Sequence, residues 1–283
     1  MHVVCAGHVN WDVTLRLDRL PVPDGESRVR GRHESGGGSA ANVAVALVAL
    51  ERAASLVGSV GDDTTGRRAL DTLGEAGVDV TPVHTAPGET ARKYLLVDAA
   101  GEVSVIDDGG VNEAVGPEDV DPAWLDDADH LHLTGQRPAT AARLAALAAE
   151  RDVPVSFDPG RRLDRRDYTA TLAHTDLLFL NDREADAVTR DALPDGCVVL
   201  TKHGERGATL VGPNGRLEHP GVDLPAVDAT GAGDAFAAGF LAASLDGADD
   251  ERALAVANAC GALAATTEGP RVDLSWARVE ALL

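Results

Sequence analysis

The chain has 283 residues, 44% of them hydrophobic, and a formal net charge of -21 at pH 7. That length suffices for one large domain or two small ones with a buried core, and the acidic balance excludes nucleic acid as a partner, because phosphate backbones are bound by clustered cations. No apolar run reaches the roughly 20 residues needed to span a bilayer, and no basic segment precedes an apolar stretch at the N-terminus, so the chain reads as soluble and cytoplasmic, with no membrane partner.

Residues 3–6 form a short apolar run of the kind expected for a buried strand, leading into GHVNWD. Val13, Leu15 and Leu17 alternate with polar residues, suggesting a half-exposed strand that stops before Pro21 and Pro23. Residues 54–60 read as a strand and 64–76 as a helix stopped by Gly77. Residues 93–98 and 103–106, joined by a turn at 99–101, read as a hairpin. Further on, 130–133, 153–157, 177–180 and 198–200 are apolar runs of strand length, separated by Ala/Leu/Arg-rich helical stretches such as 139–150. This alternation predicts a parallel sheet with helices on both faces. Ligands then belong beyond the carboxyl ends of the strands, where Asn10, Asp12, Asp158, Asn181 and Lys202 fall.

The segment VDATGAGDAFAAGF, residues 227–240, concentrates an anion site and a carboxylate. Gly231 and Gly233 permit a tight turn, and residues 235–245 read as the helix that follows. Amides at such a helix start converge on one point, and the dipole there favours negative charge. A phosphoryl group in transfer needs that environment; the plainer alternative is a glycine-rich turn with an acidic cap. The same dipole is expected to lower the pKa of Asp234. Asn10 and Asp12 sit two apart, so on an extended segment their side chains face one side and suit adjacent sugar hydroxyls. Alternatively both cap a turn.

Asp228, Gly231, Ala232, Gly233, Asp234 and Phe236 resemble the D-x-x-G-A-G-D-x-F signature of the ribokinase, or PfkB, family of sugar and nucleoside kinases. Gly37, Gly38 and Asn42 in GGGSAANVAVAL resemble its second signature, and elements in the family's order run from about residue 2 to the C-terminus. The resemblance implies a ribokinase-like α/β fold. Its central, mostly parallel sheet is flanked by helices, and residues 1–283 form one domain with lid strands at approximately 12–33 and 91–107. It implies ATP as donor, Asp234 as the base for the acceptor hydroxyl, and the amides of Ala232, Gly233 and Asp234 as the anion hole. Gly37, Gly38 and Asn42 would hold the substrate with Asn10 and Asp12.

Asn181 and Glu184 in NDRE resemble the N-x-x-E motif that organises Mg2+ and its waters; a helix cap followed by a surface Glu is the alternative. Thr201, Lys202, Gly204 and Gly207 resemble the nucleotide loop, with Lys202 either near phosphates or in solvent. Asn258 falls on the adenine side, on a helix whose small residues are equally explained by packing. Asp228 and Thr230 match positions that hold a monovalent cation, which points to K+. Asp158, Pro159 and Arg162 resemble a D-P-x-x-R segment whose Arg suits a phosphate or carboxylate, unless residues 161–166 are simply a solvated arginine run. His33 and Arg137 are further candidates for an anionic substrate.

Ser39 stands where ribokinase-like members often carry Lys, so free ribose is not the only expectation. A ribose-bearing acceptor (pentose, nucleoside, or pentose phosphate such as ribose 1-phosphate) comes first, and a hexose or sugar acid such as fructose or 2-keto-3-deoxygluconate second. A non-catalytic sugar sensor is the rival class. No G-x-G-x-x-G follows the first strand and no Walker loop is present, which argues against a dehydrogenase. The family also implies a homodimer through the lid. Cys5, Cys197 and Cys260 are odd in number and widely spaced, as expected of buried thiols in a reducing compartment. Lys93 and Lys202 are the only lysines among 25 basic residues, a composition resembling proteins of a high-salt cytoplasm, although an acidic protein from a GC-rich genome would share it.

Overall fold

Strand β1 (His2–Ala6) runs through the interior of a nine-stranded sheet, and its side chains set the layering. Val3 and Cys5 enter one apolar cluster, whereas Val4 and Ala6 enter another on the opposite face, following the two-residue period of a strand. The computed structural model describes residues 1–267, 269–271 and 273–283. The other strands are β2 (Asn10–Leu17), β3 (Val29–Gly37), β4 (Ala53–Gly61), β5 (Val83–Ala86), β6 (Arg92–Val97), β7 (Val103–Asp108), β8 (His130–Thr134), β9 (Val155–Asp158), β10 (Leu177–Asn181), β11 (Val198–Lys202), β12 (Ala208–Gly212) and β13 (Gly215–His219). The helices among the described residues are α1 (Ser39–Ala49), α2 (Thr64–Glu75), α3 (Pro138–Ala149), α4 (Thr169–Leu172), α5 (Asp182–Ala185), α6 (Ala232–Leu245), α7 (Asp250–Ala265) and α8 (Trp276–Glu280).

The large sheet has the order β13-β12-β11-β10-β9-β8-β1-β4-β5 and is parallel from β11 to β5, with β12 and β13 added antiparallel at one edge. Helices α1, α6 and α7 cover one face and α3 and α4 the other. Phe179 on β10 meets Phe236 and Phe240 of α6 edge-on, with centroids 6.4 and 6.0 Å apart. Each such pair contributes about 0.5–1.5 kcal/mol beyond its burial, and together they fix the start of α6 over the carboxyl ends of the strands. A Cβ on Gly239 would crowd Cys260 Sγ at 2.7 Å, which lets α6 and α7 pack closely.

A second, separate sheet has the order β3-β2-β6-β7. Its outer pairs are antiparallel, and β2 and β6 in the middle are parallel. The mostly parallel sheet with flanking helices and a small separate sheet agrees with the fold expected from the resemblance. The strand pair of β2 and β3 begins at Asn10 and ends at Gly37, beyond the bounds of 12–33 expected for the first lid strands. No helix among the described residues is long and apolar enough to cross a membrane.

Candidate active site

Helix α6 begins at Ala232, three residues earlier than its apolar run suggests, so Asp234 lies in its first turn. Gly231 makes this start possible: its φ is +77°, and a Cβ there would collide with the Pro270 carbonyl. Amides of a first helical turn have no intrahelical partner. Of the three expected to receive an anion, that of Ala232 instead donates to the Ala229 carbonyl at 3.2 Å. Gly233 and Asp234 therefore remain, a correction to the three-amide expectation.

Lys202 hangs over this turn, with Nζ 3.3 Å from where a Cβ of Gly233 would sit. It is not in solvent: Nζ pairs with Asp158 Oδ2 at 2.6 Å, and both side chains are largely enclosed. Burial disfavours its charge, but Asp158, Glu184 and Asp234 outweigh that and raise its pKa. A permanent cation thus faces the amides, which suits a transferring phosphoryl group.

Asn42 on α1 donates from Nδ2 to Asp234 Oδ2 at 2.8 Å. Burial pushes the Asp234 carboxyl up to about 6; the Asn42 bond, Lys202 and Lys93 offset part of this, while Asp158 adds to it. This overturns the expected lowering, because desolvation exceeds the helix-dipole effect once the carboxylate is enclosed. The group is still largely ionised at neutral pH and is a stronger proton acceptor than an exposed Asp.

Asn10 and Asp12 lie buried on β2, not in a capping turn. Gly37 faces them across the strand pair, and a Cβ on it would collide with the Asp12 carboxylate. A Cβ on Gly38, whose φ is +97°, would strike the His8 carbonyl. Asn10 Nδ2 and Asp12 Oδ1 have no hydrogen-bond partner, and neither does Nη1 of Arg271. Such orphaned atoms are rare in native interiors; here they are what the hydroxyls of a polyol would satisfy. Arg271 Nε donates to Asn42 Oδ1 at 3.4 Å, and its guanidinium fills the space where a Cβ of Gly36 would be. Burial raises the pKa of Asp12 to about 6 against the pull of Lys93 and Arg271, and lowers that of Arg271 to about 10 against the pull of Asp12. Sequence reasoning passed over Arg271, a lone Arg in GPR, and Asn112, whose Nδ2 donates to Asn10 Oδ1.

Near Lys202, Asn181 caps α5: its Oδ1 accepts from the Glu184 amide at 2.9 Å, and Glu184 Oε2 accepts from the Asn181 amide at 3.0 Å. The cap alternative therefore holds for Asn181, but Glu184 is buried, and burial raises its pKa with Asp158 adding to the effect. Both residues line a cavity of 240 Å3 with Arg161 and Arg183. No cluster of three His, Cys, Asp or Glu able to hold a metal exists among the described residues. Asp158 and Glu184 nonetheless fit Mg2+, which retains several waters and takes few protein ligands. Thr201 lies on β11, and Gly204 and Gly207 flank the turn that follows, with φ of +63° and +90°. Buried Asn258 shares a hydrogen bond of 3.1 Å with His219 at the end of β13. Asp228 accepts the amides of Thr230 at 2.9 Å and Gly269 at 3.0 Å.

Arg162 and Arg166 are half-buried, whereas Arg161 and Arg165 are exposed, so the solvated-run reading applies to only part of 161–166. Arg162 lines a second 240 Å3 cavity, bordered by Asp107 of β7, that contains neither Arg137 nor His33. Those two are exposed, Arg137 at the start of α3 and His33 on β3.

An enclosed carboxylate in the first turn of a helix, beside a pocket of unpartnered polar atoms at the second sheet, is the arrangement of a phosphotransferase acting on a small polyhydroxylated alcohol. Residues 1–277 match the pfkB family of carbohydrate kinases, and the chain belongs to that family. It is 56% identical over 278 residues to an ATP-dependent ribose-1-phosphate kinase of Halopiger xanaduensis, covering 96% of this chain and 94% of that one. A nucleoside kinase of Methanothermobacter thermautotrophicus is 27% identical, covering 96% and 92%. Among solved structures, Arabidopsis thaliana ribokinase complexed with ribose and ATP superposes with a TM-score of 0.90 at 25% identity, covering 99% of this chain and 97% of that one.

Proposed function

We propose that the protein transfers the γ-phosphoryl group of ATP to the 5-hydroxyl of ribose 1-phosphate, giving ribose 1,5-bisphosphate and ADP. The observation that carries this is the 56% identity across nearly the whole chain to a ribose-1-phosphate kinase. The site is consistent with it. Asn10 and Asp12 would take the ring hydroxyls, and Gly37, Gly38 and Asn42 would shape and close that pocket. Asp234 Oδ accepts the hydroxyl proton as the O5–P bond forms and the bond from the γ-phosphorus to the bridging oxygen breaks. Lys202 and the amides of Gly233 and Asp234 take the charge on the transferring group. Thr201, Gly204, Gly207 and Asn258 would border the nucleotide. Glu184 and Asp158 would hold Mg2+, which would neutralise phosphate charge when bound.

Coupled ADP release in molar KCl with Mg-ATP tests the acceptor across ribose 1-phosphate, ribose, nucleosides, fructose and 2-keto-3-deoxygluconate. The expected result is the highest kcat/KM for ribose 1-phosphate; a better nucleoside or hexose overturns the reading. The scarcity of lysine and the charge of -21 support a high-salt cytoplasm, to be checked as a melting temperature that rises with KCl. The same titration, with NaCl as control, tests a K+ site at Asp228 and Thr230. Val103, Val105 and Ile106 lie exposed on β7 at the edge of the lid, which supports a homodimer through that sheet. A monomeric mass in light scattering removes it.

A further inference from the structure

The second cavity is lined by His8, Asp107, Asn112, Glu113, Arg162 and Arg166. Glu113 is its hub. Its Oε1 lies 2.6 Å from Arg166 Nη1, 3.2 Å from His8 Nε2 and 3.7 Å from Arg162 Nη1. Arg166 Nη1 also donates to the Gln136 carbonyl at 2.8 Å, so its guanidinium is held from two sides. Arg162 is held differently: its Nη2 pairs at 2.7 Å with Asp107, at the exposed end of lid strand β7. Gly109 and Gly110 follow directly and line the same cavity.

The cavity's place relative to the acceptor pocket gives it a meaning. Asn112 lines it and donates to Asn10, so the two spaces share a wall. The proposed base lies on the other side of that pocket, reached from Asp12 through Arg271 and Asn42. In a furanose phosphorylated at C1, the C5 hydroxymethyl and the C1 oxygen leave the ring from the two carbons flanking the ring oxygen and diverge. If O5 meets Asp234, the C1 substituent points away from it, toward Asn10 and the cavity beyond. Two arginines and a histidine there offer donors in the fork geometry that phosphate takes.

We propose that His8, Arg162 and Arg166 form the subsite for the phosphate at the far end of the acceptor, with Asp107 occupying Arg162 until that phosphate replaces it. This rests on the reading of ribose 1-phosphate as the acceptor. Glu113 orients the cations and stays in place, while Asp107 is the exchangeable carboxylate because it sits on the lid's edge strand and is more exposed. His8, Arg162, Arg166 and Asp107 are then specificity determinants, and closure of the lid is coupled to acceptor charge.

The test is steady-state kinetics of R162Q, R166Q and D107N with ribose 1-phosphate and with unphosphorylated ribose, read as the ratio of the two kcat/KM values. Loss of a charge-assisted bond to phosphate is expected to lower that ratio about 10- to 100-fold in R162Q and R166Q. D107N, which removes the competing carboxylate, is expected to raise it severalfold. A merely structural role would shift both substrates together and leave the ratio alone; melting curves identify any variant that fails to fold, and D107N at the exposed rim stays informative if R166Q does. Wild-type enzyme that ignores ribose 1-phosphate sinks the acceptor reading and this inference with it. Wild-type enzyme that uses it while R162Q and D107N keep the wild-type ratio sinks the inference alone.

Discussion

Replacing Asp234 by Asn separates what the carboxylate does from what it costs. A positioned base contributes about 10²–10⁴-fold to a proton-coupled step, so kcat is expected to fall by that order. The structure also predicts a gain in stability. Burial lifts the Asp234 pKa from 3.8 to about 6, and at about 1.36 kcal/mol per unit the ionised group destabilises the fold at pH 7 by roughly 3 kcal/mol. The sign follows from the raised value: the fold binds the proton more tightly than the unfolded chain. Stability from this group is therefore fully present below pH 4, is lost as pH rises through 6, and stays lost at pH 7. D234N removes that penalty and still offers an oxygen to Asn42 Nδ2, so its melting temperature at pH 7 is expected to rise by several degrees. The assay pairs kcat/KM from pH 5 to 8 with melting over the same range. Wild-type activity should fall as pH drops through about 6, with no matching loss of structure. Wild-type turnover in D234N would refute the catalytic assignment, and a lower melting temperature at pH 7 would refute the desolvation argument.

D12N should remove a second proton from the acid limb, because Asp12 is also lifted to about 6, and should raise the acceptor KM; an unchanged slope below pH 6 counts against a shared limb. K202M leaves Asp158 enclosed without its partner, a change that typically destabilises by about 3–5 kcal/mol. The K202M/D158N double variant should recover part of that in melting experiments while turnover stays low. E184Q keeps an oxygen for the Asn181 amide, so stability should stay within about 0.5 kcal/mol of wild type while the Mg2+ concentration for half-maximal activity rises; an unchanged Mg2+ curve reduces Glu184 to a cap.

The strands of the large sheet that were readable in the sequence are those buried on both faces, such as VVCA at β1 and LLFL at β10, because burial on both sides demands an unbroken apolar run. Strand β3, VRGRHESGG, carried no such signal: only its last two residues are buried, and it is a strand because β2 pairs with it. The hairpin of β12 and β13 was passed over for a similar reason, its second strand, GRLEH, being only half-covered. At the site, the residues carried by local motifs were legible, since glycine spacing and a helix start act within a few positions. Arg271 and Asn112 were not, because their importance comes from contacts across the fold: 229 residues to Asn42 in one case, 102 to Asn10 in the other. The direction of the Asp234 pKa was misjudged because a local rule, the helix dipole, competes with burial that only tertiary structure supplies.

The two glycines that end β3 and the glycine that follows them show how so short a motif can organise so much. Each glycine yields to a different neighbour: Gly36 to the Arg271 guanidinium, Gly37 to the Asp12 carboxylate, Gly38 to the His8 carbonyl in the connection between β1 and β2. The tripeptide therefore draws the C-terminal segment, the second sheet and the connection between β1 and β2 together, and α1 starts directly after it. Asn42, in the first turn of that helix, then reaches Asp234 and Arg271 at once. A methyl group at any of the three positions would displace a charged or hydrogen-bonded partner belonging to a different part of the chain. The motif consequently acts less as a set of ligands than as the absence of side chains that lets ligands from four distant segments meet.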